Sequence, residues 1–64
     1  MDKIDGYLSR RVQNVWPEAL VFISEAGDYV VRRPDAEDLG LGDSFSRAQQ
    51  AVDAMLAAER ARKK

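Results

Sequence analysis

The stretch Ala19-Leu20-Val21-Phe22-Ile23-Ser24, then Glu25-Ala26-Gly27, then Asp28-Tyr29-Val30-Val31-Arg32-Arg33 decides the fold. Two runs rich in β-branched and aromatic residues flank a short loop that contains glycine, which is the pattern of an antiparallel hairpin. With Gly27 in the left-handed conformation, a three-residue loop makes a type I turn followed by a one-residue bulge. That turn sets the register: Ser24 faces Asp28, Ile23 faces Tyr29, Phe22 faces Val30, Val21 faces Val31 and Leu20 faces Arg32. The strands are expected over about 19–24 and 28–33.

Because side chains alternate across a strand, the register also sorts the residues onto two faces. Ala19, Val21, Ile23, Tyr29 and Val31 share one side, with Arg33 at its end. Leu20, Phe22 and Val30 share the other, among Ser24, Asp28 and Arg32. The first side is core-like. The second still carries three sizeable apolar groups, more than a solvent face needs.

Ahead of the hairpin, Ile4, Tyr7, Leu8, Val12, Val15 and Trp16 follow the i, i+3, i+4 spacing of an amphipathic helix. The spacing predicts a helix over about 3–16, capped by Asp2, with Asp5 in its first turn and Pro17 ending it. Gly6 inside that span costs about 1 kcal/mol relative to alanine. After the hairpin, periodicity is lost from Pro34 to Asp43, where Pro34, Gly40 and Gly42 read as a loop over 34–43, anchored by Leu39 and Leu41. Helical spacing resumes with Phe45, Ala48, Val52, Met55 and Leu56 and runs from about 44 to 62. Ser44 or Ser46 is the expected cap, and Ser46 with Gln49 has the form of a capping box.

These elements give an α+β fold: a small two-layer α-β-β-α domain, with an antiparallel β-hairpin packed on two amphipathic helices and one domain over 1–64. Its expected core is Ile4, Leu8, Val12, Trp16, Val21, Ile23, Tyr29, Val31, Phe45, Val52, Met55 and Leu56. A chain of 64 residues, 45% hydrophobic and 33% charged, is ordinary for a globular domain but supports only one modest core. It has no cysteine, so neither a disulfide nor a thiolate metal site supplements that core. The sequence has no signal-peptide character at Met1-Asp2-Lys3-Ile4-Asp5. Its longest apolar run, Ala19 to Ile23, is far short of the roughly 20 residues of a spanning helix. A cytoplasmic protein away from the membrane is the expectation.

The net charge of −1 conceals an uneven distribution. Glu18, Glu25, Asp28, Asp35, Glu37, Asp38 and Asp43 crowd the middle against Arg32 and Arg33, whereas Arg47, Arg60, Arg62, Lys63 and Lys64 outweigh Asp53 and Glu59 at the C-terminal end. Catalysis has little to work with. The absence of histidine and cysteine removes the commonest general base, the strongest neutral-pH nucleophile and the two main transition-metal ligands. A carboxylate can be tuned by burial, but so small a core offers little volume to bury one. The acidic run Asp35-Ala36-Glu37-Asp38-Leu39-Gly40 matches a calcium loop at its first, third and sixth places. It then fails, with Leu39 at the fifth and Ser46 at the twelfth, where a bidentate glutamate is required. Gly40-Leu41-Gly42 ahead of a helix offers amides to an anion, but Asp43 repels one. No catalytic residue, metal site or cofactor site is therefore expected, and the chain is read as no enzyme.

Three readings of function remain. The first is a non-catalytic protein-interaction or regulatory module that uses Leu20, Phe22, Val30 and Arg32 of the hairpin and Asp35, Glu37 and Asp38 of the acidic loop. Its partner is another protein or a second copy. The second is a nucleic-acid accessory protein using a basic strip of Arg10, Arg11, Arg32, Arg33, Arg60, Arg62, Lys63 and Lys64. Overall acidity argues against high affinity there, and basic residues at a helix C-terminus are what its dipole favours anyway. The third is an acidic inhibitor that occupies the basic groove of a nucleic-acid enzyme, of the kind mobile elements encode.

Overall fold

The computed structural model describes residues 3–62. In chain order the elements are β1 (Lys3–Ile4), α1 (Gly6–Gln13), β2 (Leu20–Ile23), β3 (Tyr29–Arg32), β4 (Leu39–Gly42) and α2 (Phe45–Arg62). The strands form one four-stranded antiparallel sheet in the order β1-β2-β3-β4. The fold is α+β, and the hairpin forms the middle of a wider sheet.

The register of β2 and β3 is the one the turn dictates, from Leu20 opposite Arg32 to Ile23 opposite Tyr29. Gly27, at φ 90°, supplies the left-handed residue. The Gly27 N–H donates to the Ser24 carbonyl at 2.9 Å, and the Ser24 N–H donates to the Asp28 carbonyl at 2.8 Å. A side chain at position 27 would strain this backbone, so the loop geometry itself requires glycine.

Three expected elements are corrected. The first helix, expected over 3–16, starts at Gly6, because Asp5 is its cap: extended at φ −89°, with its carboxylate accepting the Leu8 N–H at 2.9 Å. That frees Lys3 and Ile4 to pair with Ile23 and Phe22. The proposed cap Asp2 lies outside the described residues. The helix also ends at Gln13: Asn14 and Val15 form a turn in which the Val15 and Trp16 N–H groups donate to the Val12 carbonyl, and a second turn through Pro17 and Glu18 is closed by the Ala19 N–H on the Trp16 carbonyl. The second correction concerns 34–43, expected as a loop, in which Leu39–Gly42 form β4. Val31 lies opposite Leu39 and Val30 opposite Gly40, but Tyr29 lies opposite Gly42, so Leu41 is the extra residue of a bulge and the strand's period is broken at the residues that read as breakers. Third, of the two expected caps of α2 it is Ser44 that serves, its Oγ accepting the Arg47 N–H at 3.3 Å, and only the capping box fails. Ser46 therefore lies inside the helix and cannot form the capping box with Gln49.

Both helices lie on the same side of the sheet, α1 against β2, α2 against β4, and each against the other. The core between the layers is Leu8 and Val12 from α1, Ala19 ahead of β2, Val21, Val31 and Leu41 from the sheet, and Ala48 and Val52 from α2. Each helix contributes its pair at i, i+4, the spacing that keeps two side chains on one stripe. Trp16, Tyr29, Met55 and Leu56 pack around the margin. Two residues expected in the core are instead exposed. Ile4 is 63% exposed because it belongs to β1, and Phe45 is 40% exposed because it opens α2 at the edge of the helical layer.

Candidate interaction surface

With both helices on one side, the other side of the sheet has no element over it among the described residues. The row across that face is Ile4, Phe22, Val30 and Gly40, set by successive strand pairings, with Leu20 and Arg32 in the next row. Leu20 is 37% exposed, and Val30 is half-buried. Nothing stands within 4 Å of where a Cβ on Gly40 would sit, so the apolar row ends at an open notch beside Val30.

Phe22 is the exception, only 9% exposed although it does not belong to the core between the layers. The Arg32 guanidinium lies 4.9 Å from its ring centroid, a cation–π distance. Asp38 fixes that guanidinium: Nε donates to Oδ1 at 3.3 Å and Nη2 to Oδ2 at 3.2 Å. Leu20, Phe22, Val30 and Arg32 thus share one face, with the Arg32 guanidinium over the phenyl ring and Asp38 holding the guanidinium. Asp35 and Glu37 lie exposed in the preceding turn, where Asp35 holds a left-handed backbone at φ 62°.

The basic residues do not gather into one strip. Arg32 lies on the bare sheet face, whereas Arg10 and Arg11 lie on α1 in the opposite layer, and Arg11 pairs with Asp53. Arg33 lies over the Trp16 ring at 5.5 Å, its buried Nε without a hydrogen-bond partner. Arg60 and Arg62 are in the last turn of α2, where Arg62 Nη1 donates to Glu59 Oε1 at 3.1 Å. Lys63 and Lys64 lie outside the described residues.

The flanks of the sheet are a feature that sequence reasoning missed. Beyond the end of β1, the outward groups of β2 are met by α1 and its cap. The Val21 N–H donates to Ser9 Oγ at 2.8 Å, and the Ser9 hydroxyl donates back to the Val21 carbonyl at 3.0 Å. The Asp5 N–H donates to the same carbonyl at 2.8 Å, and Gln13 Nε2 donates to the Ala19 carbonyl at 3.0 Å. The signal was legible as polar residues at 5, 9 and 13, one line along a helix. On the other flank, antiparallel pairing alternates between strand pairs that exchange both bonds and pairs that exchange none. Counting from the bonded pair Ser24–Asp28, the Val31–Leu39 pair faces inward and Gly40 turns its N–H and C=O outward, where they meet no partner among the described residues.

Elsewhere, Tyr7, Phe45 and Tyr29 form an aromatic group at the N-terminal end of the helical layer, with Phe45 5.9 Å from Tyr7 and 6.4 Å from Tyr29. A groove of about 180 Å³ between Asn14, Val15, Leu56, Glu59 and Arg60 is smaller than the roughly 300–1,000 Å³ of most small-molecule sites. Among the described residues, no group of three or more carboxylates converges to hold a metal ion, and no helix is long and apolar enough to cross a membrane. No known protein family, curated protein or solved structure matches this chain.

Proposed function

We propose that the chain is a non-catalytic interaction module whose binding surface is the sheet face opposite the helices together with the acidic turn beside it. The observation that carries this reading is the row Ile4, Phe22 and Val30, three apolar residues on three adjacent strands with both helices on the far side. A sheet with one solvated face ordinarily alternates apolar inward with polar outward. Here the outward row keeps its apolar character, and Arg32 with Asp38 supplies a polar rim, the composition of a protein-binding patch.

The nucleic-acid reading has less support, because three of its arginines are engaged by carboxylates and the set is divided between opposite layers. The exposed Asp35 and Glu37 favour a partner with some positive charge, which keeps an acidic inhibitor of a basic protein within the same reading.

Leu20 is the residue to change, because it is exposed and its loss costs the core nothing. Affinity capture from the native host with wild-type and Leu20→Asp baits should retain a partner on the first and lose it on the second, with identical circular dichroism and melting temperature. Equal retention by both baits would remove this face from the account.

A further inference from the structure

We propose that the open edge of β4 is a docking site for an extended segment of another protein, basic where it passes the acidic turn at 35–38. The inference rests on the reading of the chain as a protein-binding module and names the partner's conformation and charge.

An edge strand presents unpaired backbone groups that invite a further strand, and folded proteins commonly blunt such edges. On one flank the edge strand β1 is only two residues long and the rest of β2 is capped by polar groups; on the other, β4 has a bulge at Leu41 but leaves the groups of Gly40 open. Val21 and Ala19 on the β2 side are occupied by Ser9, Asp5 and Gln13, whereas the outward N–H and C=O of Gly40 have no partner among the described residues. No charged residue or proline interrupts Leu39-Gly40-Leu41-Gly42. A strand laid beside β4 gains main-chain bonds at Gly40 and sets alternate side chains over the notch there, continuing the apolar row of Val30 and Phe22.

Charge decides which strand. Asp35 and Glu37 stand exposed where the chain enters β4, and no ion pair engages them among the described residues. Asp43 follows at the other end, with Arg47 Nε 3.8 Å from its Oδ1. A second copy paired antiparallel with Gly40 opposite its own Gly40 would set Glu37 opposite Asp43 at both ends, and like charges directly opposed destabilise a strand pair. Asp35 and Glu37, which no described cation engages, attract lysine or arginine on a foreign strand. The occupant is therefore an extended basic segment, not another copy of this chain.

The test is an NMR titration of the full chain with two capped peptides, Lys-Thr-Val-Thr-Val-Thr-Lys and Glu-Thr-Val-Thr-Val-Thr-Glu. The lysine peptide should shift the Gly40 amide and slow its hydrogen exchange, and should bind roughly threefold or more tightly than the glutamate peptide, the scale of one or two cross-strand charge pairs. Gly40→Pro removes only an outward N–H and should abolish the response. If that variant does not fold, protection of Gly40 in the wild-type complex remains the deciding readout. An unmoved Gly40 amide at the highest peptide concentration, or equal binding of both peptides, overturns the proposal. Leu20→Asp should leave the peptide response intact. A Leu20-dependent partner together with a silent Gly40 would thus defeat the edge site while sparing the face.

Discussion

The two flanks of the sheet are finished differently, and the difference lies in what each neighbouring helix presents. Asp5, Ser9 and Gln13 recur every four residues along α1 and its cap, so they form one line against β2. A backbone amide, a hydroxyl and a carboxamide from that line meet the strand's outward groups. α2 packs beside β4 through Ala48 and Val52, and no side chain from it reaches the strand's outward backbone groups among the described residues. A helix seals a sheet edge only when its polar residues fall at the right spacing. Apolar packing alone covers a face and leaves the edge open.

Breaking the sealed flank should have the largest effect. Ser9→Ala leaves the buried Val21 N–H without a partner while the Val21 carbonyl keeps Asp5, so the loss should be about 2 kcal/mol, the cost of an unsatisfied buried donor. For a domain of this size that lowers the melting temperature by roughly 8–16 °C, measurable by thermal circular dichroism. Gly42→Ala, at the place where α2 closes on β4, should cost about 1–3 kcal/mol in urea unfolding. Its φ is 122° and the new Cβ would lie 2.8 Å from the Arg47 Cβ. Asp5→Ala removes the cap of α1 but keeps the backbone bond to Val21, and should cost about 1 kcal/mol in the same assay. Gly40→Ala, two residues from Gly42 but on the open edge, meets nothing within 4 Å and should change stability by no more than about 0.5–1 kcal/mol, in the stabilising direction. A large loss at Gly40 would show that β4 is enclosed after all.

The hairpin and its register were legible because turn chemistry and strand pattern agree around Gly27. The second helix was legible for the same reason, with an uninterrupted apolar period from Ala48 to Leu56. β4 was not, because glycine at alternate positions carries no side chain to mark a face, and Gly40 and Gly42 read as loop residues. The start of α1 was misplaced because Ile4 fits the helical period by chance. Asp5 ahead of Gly6 and Leu8 was the better cap, and it returns Ile4 to the sheet. The apolar excess on Leu20, Phe22 and Val30 was legible, but the closing of Arg32 over Phe22 depends on Asp38, which only β4 brings into position. The polar line at 5, 9 and 13 was visible in the sequence, but its target was not, because that depends on β1 and β2 adjoining α1.

Backbone amide hydrogen exchange in the free protein tests the contrast between the flanks most directly. The Val21 amide, held by Ser9, should exchange only on global unfolding, whereas the Gly40 amide should exchange near the rate of an unstructured chain. A Gly40 amide as well protected as Val21 would contradict that contrast, because the edge offered to a partner would already be occupied.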